Sequence, residues 1–313
     1  MKKALTLILA AVLAVSLLAG CAADSTADNP AQNDSGGGKL KDDAASGKLK
    51  IVATLFPQYD FARQIAGDKA EVTLLLPPGM ESHSYEPTPS DIIEINGSDL
   101  FIYTGKHMEA WAQKIIDSMK DNGSHSFVLD ASQGIELVNG DPHIWTDPLA
   151  AKQMAANILD ALCSADPSNA GYYKENAADY SKKLDDLDAK FKSIVSSGKR
   201  NEIIFGSRFA LYYFVTRYGL EYESAFDSCS EETEPSAKAV VGLIQKVKSD
   251  KIPVVYYAEI EDPKVARSIS AETGAKLLLF HSCHNVTKEE FENGATYLSL
   301  MEQNAENLKE GLN

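Results

Sequence analysis

Residues 166–197 read "DPSNAGYYKENAADYSKKLDDLDAKFKSIVSS", and this stretch decides the architecture. Tyr173, Ala177, Tyr180, Leu184, Leu187, Phe191 and Ile194 alternate spacings of four and three, which draws one apolar stripe along a helix. Asp166 suits an N-cap and Pro167 the first turn. At 1.5 Å per residue such a helix is roughly 45 Å long, comparable with a whole domain. A coiled-coil arm would also carry this stripe, but the central position favours a helix that spans two lobes.

The segments on either side are versions of each other. "LKIVATLFPQYDFARQIAGD" (49–68) and "NEIIFGSRFALYYFVTRYGL" (201–220) each read as a β-rich run, an aromatic-rich helix and a glycine. "EPTPSDIIEI" (86–95) corresponds to "EPSAKAVVGLI" (234–244), each with a serine N-cap before an apolar helix. "DLFIYTG" (99–105) corresponds to "PVVYYAE" (253–259), and "HSFVLDAS" (125–132) to "AKLLLFHS" (275–282). Strands alternating with helices imply an α/β fold with a parallel sheet in each lobe. The predicted organisation is an N-terminal lobe (49–165), a linking helix (166–198) and a C-terminal lobe (199–313). Ligands in such sheets gather at the carboxyl ends of the strands.

The start of the chain implies an extracytoplasmic setting. Lys2 and Lys3 precede an apolar stretch, Ala4 to Leu18, too short to span a bilayer comfortably. It closes on Leu18-Ala19-Gly20-Cys21, which looks like a bacterial lipobox, so residues 1–20 read as a signal peptide and Cys21 as the lipidated residue. An ordinary signal peptide ahead of a chance cysteine is the plainer alternative. Residues 22–48 carry no large apolar residue except Leu40 and read, with Cys21, as a flexible tether. The chain of 313 residues has a formal charge of −15 and no basic stripe, which argues against nucleic-acid binding. A membrane would be met through the lipid alone.

Six histidines supply the candidate ligands. His83 lies in "LLLPPGMESHSYEP" just past a predicted strand (Val72 to Leu76). His143 lies in "DPHIWTDP", where Asp147 caps a helix opened by Pro148. Each alone is more often a loop or core residue than a ligand, but proline-stiffened loops pre-aim their side chains. His107 and His125 read as surface residues. "LLLFHSCHNV" (277–286) runs a buried strand into His281, Cys283 and His284. Cys283 can complete a thiolate-containing site or pair with Cys229 in a disulfide, while Cys163 reads as a buried free thiol on a helix. Borderline metals such as zinc favour imidazole nitrogen.

Taken together, "PPGMESHSYEPTPSDI", "DPHIWTDP", "YFVTRYGL", "EPSAKAVVGLI" and "AETGAKLLL" resemble the zinc/manganese family of ABC-transporter solute-binding lipoproteins. The resemblance covers nearly all of the chain after residue 48. It implies a metal held in the cleft between the lobes and delivered to a membrane permease by a monomeric receptor. His83 and His143 match two family ligands. The third family ligand position is occupied here by Arg208, and the fourth, commonly Asp, by His281. A histidine in place of aspartate favours zinc over manganese. Arginine cannot coordinate a metal. Either Arg208 turns away to a carboxylate, or the site is rebuilt around other donors, or binding is weakened. The expected ligands are therefore His83, His143 and His281, with His284 or a water as the fourth.

Other functions are weighed against this one. Arg208 could hold an anion, making the chain a receptor for a small anionic ligand. An adhesin or scaffold with a vestigial cleft is another reading. A zinc hydrolase needs a positioned base, but there is no His-Glu-x-x-His helix and no Gly-x-Ser-x-Gly elbow, so the chain reads as a non-enzyme. The continuous helix should limit binding to local rearrangements, around 205–209 and 281–286.

Overall fold

The computed structural model describes residues 47–121, 123–226 and 235–313. Cys21 and Cys229 fall outside them, so the lipidation site and one half of the expected disulfide do too.

The first lobe is built from β1 (Leu49–Ala53), α1 (Phe56–Ala66), β2 (Ala70–Leu74), α2 (Pro89–Asn96), β3 (Leu100–Tyr103), α3 (Ala112–Asp121), β4 (Phe127–Asp130) and α4 (Pro148–Ala165). Its four strands pair in parallel in the order β2-β1-β3-β4. The long helix α5 spans Ala170–Ser197. Beyond it come β5 (Glu202–Phe205), α6 (Tyr212–Tyr218), β6 (Glu221–Ser224), α7 (Ala237–Ser249), β7 (Val254–Tyr257), α8 (Lys264–Thr273), β8 (Lys276–Leu279), α9 (Lys288–Glu292) and α10 (Tyr297–Leu312). The second sheet is again parallel, in the order β6-β5-β7-β8. The strand runs that correspond in the sequence are β1 with β5, β3 with β7 and β4 with β8, so the internal correspondence is structural.

Two local expectations shift by a turn. The long helix begins at Ala170, after a 3₁₀ turn at Pro167–Asn169. Asp166 closes α4 instead, and its carboxylate accepts from Ser168, Asn169 and Tyr173, which stitches the corner. In α2 the N-cap is Thr88, in a reciprocal capping box with Asp91, while Ser236 caps α7 as expected.

The two sheets share one core. α5 buries Tyr173, Tyr180, Leu184, Leu187, Phe191 and Ile194, all residues of the stripe. They join Phe56, Phe61 and Trp145 of the first lobe with Phe205, Phe214, Phe280 and Tyr297 of the second. The lobes are also tied by hydrogen bonds. Trp145 Nε1 donates to the Ser282 carbonyl (2.8 Å), and the Tyr297 hydroxyl donates to the Trp145 carbonyl (2.6 Å). The Tyr297 N–H donates to buried Asp60 (2.8 Å), and Asn285 donates to the carbonyls of Pro77 and Met80 (2.8 and 2.9 Å). Opening the lobes would exchange these hydrogen bonds for bonds to water, at a net cost of about 0.5–1.5 kcal/mol each. The frame resists a wide hinge motion. Among the described residues, no helix is long and apolar enough to cross a membrane.

Candidate metal centre

Three rings meet where the lobes face each other. His83 comes from the loop after β2, His143 from the turn before α4, and His284 from the loop after β8. One ligand atom from each lies within 4.8 Å of the other two, and this is the metal-competent histidine group among the described residues. The ring centroids are 5.3 Å apart for His83 and His143, 5.2 Å for His83 and His284, and 4.4 Å for His143 and His284. Trp145 packs edge-on against both His143 and His284 (5.6 and 5.1 Å), so the floor of the site is apolar. His83 is exposed, whereas His143 and His284 are buried.

The outer partners orient the two buried rings. His143 Nδ1 lies 2.5 Å from Asp141 Oδ1, which also accepts the His143 N–H (2.9 Å). A carboxylate only accepts, so the ring proton sits on Nδ1 and Nε2 presents its lone pair. That Nε2 stands 3.3 Å from His83 Nε2. His284 is fixed in a parallel way. Its Nδ1 lies 2.6 Å from Ser282 Oγ, and that hydroxyl spends its one proton on Glu259 Oε1 (2.5 Å). Ser282 Oγ must therefore accept from His284 Nδ1–H, which leaves Nε2 for a metal. Nε2 of His284 is buried and has no hydrogen-bond partner, an arrangement that buried polar atoms avoid unless something else satisfies them. Glu259 is held in turn by the Ser282 N–H (2.7 Å).

Electrostatics favour the neutral form of His83 and His284. Burial lowers the His284 pKa well below the usual imidazole range, and the neighbouring His143 and His83 add to it. Burial and His143 lower His83 as well. Asp141 is lowered although burial opposes it, because the hydrogen bonds from the His143 ring and N–H outweigh desolvation. Neutral imidazoles with free Nε2 atoms are the form that binds a divalent cation.

His281, expected among the ligands, is placed elsewhere. Its ring is buried, with Nδ1 accepting the Cys283 N–H (2.9 Å) and Nε2, which has no hydrogen-bond partner, facing Glu290 at 3.7 Å. Both ring nitrogens thus face the second lobe's own groups. Its backbone is clamped on both sides by Asn304, which accepts from the N–H and donates to the carbonyl (2.7 Å each). The turn that follows passes through Cys283 at φ 61°, a left-handed conformation uncommon for a non-glycine residue. This turn delivers His284 to the site three residues later. Cys283 is a free, fully buried thiol, and Cys163 is free and half-buried.

Arg208 turns aside, the first of the alternatives left open by the sequence. Its guanidinium pairs with Glu261 (3.2 Å) and lies over the Phe226 ring (5.3 Å). Beside the histidines, Arg208 and Glu261 line a cavity of about 380 Å³ that also reaches His83 and His284. His107 and His125 lie outside the cluster.

Asp141, Ser282, Glu259 and Trp145 carry no role in the sequence reading. Asp141 had a signal, an acid two residues before a loop histidine. Glu259 had none, because its partner Ser282 is 23 residues away.

Comparison with known proteins identifies the family. Residues 51–311 match the family described as ZnuA, zinc-uptake complex component A, periplasmic. The high-affinity zinc uptake system protein ZnuA of Bacillus subtilis is 34% identical over 289 residues, covering 86% of this chain and 89% of the relative. The chain spans 56% of the zinc-binding lipoprotein AdcA of Streptococcus pneumoniae, at 31% identity. Among solved structures, the metal-dependent lipoprotein YcdH of Bacillus subtilis superposes with a TM-score of 0.76 at 36% identity, covering 85% of this chain and 99% of that one. The Zn(II)-bound ZnuA-like domain of Streptococcus pneumoniae AdcA gives 0.75 at 32%, with the same coverage. The chain belongs to the ZnuA family of zinc-uptake components.

Proposed function

We propose that this chain captures a zinc ion outside the membrane through Nε2 of His83, His143 and His284 and passes it to an ABC permease. The observation that carries the ligand assignment is the convergence of His83, His143 and His284 within 4.8 Å of one another; Nε2 is buried and partnerless in both His284 and His281, but His281 stands outside that group. Nitrogen donors of this kind suit zinc better than manganese, which prefers oxygen. His281 acts behind the site, where it shapes the turn that presents His284.

The protein is a binding receptor and not an enzyme. Zinc is its cargo. In this reading residues 1–20 are removed, a lipid on Cys21 anchors the protein, residues 21–48 are the tether and the receptor works as a monomer. The tied lobes support capture by local motion, with exposed His83 completing the site last. The loop 281–286 is held by Asn304, Glu259 and Trp145 and should stay in place.

Zinc titration of the native protein against His143→Ala and His107→Ala variants tests the assignment. His143→Ala should lose most of the affinity and His107→Ala almost none. Equal losses would sink it.

A further inference from the structure

Zinc takes four donors in most structural protein sites, and three imidazoles converge among the described residues. The remaining position is open towards one side. Two of the three rings, His83 and His284, line the cavity of about 380 Å³, a volume within the range of small-molecule sites. One water has a share of roughly 30 Å³ in the liquid, so the space exceeds by far what a single bound water needs. The cavity also borders the residue that the family resemblance puts at a ligand position, Arg208, whose side chain is directed to Glu261.

The charge of the bound zinc would favour an anionic donor there. Three neutral imidazoles leave both positive charges of zinc without a directly bound anion. Asp141 reaches the metal only through His143, and Glu259 only through Ser282 and His284. Glu81, which also borders the cavity, engages its Oε2 with the N–H and hydroxyl of Ser84 (2.8 and 3.1 Å) and lies outside the group of converging ligand atoms. The walls combine two cations, Arg208 and Lys264, and the carboxylates of Glu81, Glu259, Glu261 and Asp262 with the apolar faces of Phe226, Ile260 and Phe280. Such a lining matches a small zwitterion with a side chain better than a bare inorganic anion.

We propose that the cavity is a co-ligand site, and that zinc is held together with one free amino acid. The amino acid's carboxylate, with its amine, completes the zinc coordination, and its side chain occupies the cavity. This rests on the three-histidine zinc site proposed above. Arg208, by vacating a ligand position, makes the room.

Native mass spectrometry of the purified protein tests this, with zinc alone, L-histidine alone, and both together. The expected result is a mass gain of one zinc plus one histidine when both are present, and no histidine bound without zinc. Arg208→His offers a protein imidazole at the vacated position, so that variant should bind zinc more tightly and lose the histidine adduct. A native protein that binds zinc yet never the amino acid, or gives its zinc up to it, overturns this inference alone. An adduct of equal abundance in Arg208→His overturns it as well. A native protein that binds no zinc overturns the zinc site itself, and this proposal with it.

Discussion

Replacing Ser282 with alanine removes one hydroxyl and tests how the fold prepares a ligand. In the native protein that oxygen accepts from His284 Nδ1 at 2.6 Å and donates to Glu259 at 2.5 Å. Without it, His284 is free to place its proton on Nε2, the form that cannot bind zinc. Loss of such an outer partner costs metal affinity about 10–100-fold, or about 1.4–2.7 kcal/mol. Glu259 keeps the Ser282 N–H, since that bond is main-chain, but loses a hydrogen bond in a buried setting. The metal-free protein should therefore also lose roughly 1–3 kcal/mol of stability. Competition against a chromophoric zinc chelator measures the first effect, and denaturant unfolding of the metal-free protein the second. Ser84→Ala is the control, because its hydroxyl meets Glu81 and no metal ligand. A Ser282→Ala protein that is less stable but binds zinc as the native protein does would refute the orienting role.

Zinc binding should be insensitive to pH above the usual imidazole range and weaken only as pH falls below it, because His83 and His284 have lowered pKa values. The unfolded chain takes up these protons near pH 6.5 while the folded chain refuses them, so the metal-free protein should lose stability over the same descent; isothermal titration and unfolding at stepped pH values check both. Glu109 gives an independent pH signature in the first lobe. Burial raises it to about 7 despite hydrogen bonds from Thr54, Thr104 and Gly105. The folded protein keeps that proton between about 4.5 and 7 while the unfolded chain releases it, so this residue's contribution to stability falls by roughly 3 kcal/mol as pH rises through that window. Glu109→Gln should remove that slope, and an unchanged stability profile would contradict it.

The architecture was legible because it rests on periodicity. The stripe from Tyr173 to Ile194 defined the spanning helix, and the repeated strand–helix order defined the two sheets. His83 and His143 were legible because prolines stiffen their loops and their motifs resemble those of a family. The choice between His281 and His284 was not. The two residues share one loop, and what separates them is the left-handed turn at Cys283 and the claims that Cys283 N–H and Glu290 make on the His281 ring. Such contacts are local in the chain but depend on a single backbone angle and on how the loop folds back on itself, and neither leaves a pattern in the sequence. Asp166 errs for a local reason: it faces a 3₁₀ turn that precedes the helix it was expected to cap.

The most direct test is an anomalous-scattering map at the zinc absorption edge from crystals of the protein grown with zinc. The account expects one strong peak within bonding distance of Nε2 of His83, His143 and His284, with His281 beyond reach. A peak bonded to His281 or to the Cys283 thiol, or none between the three imidazoles, would contradict it.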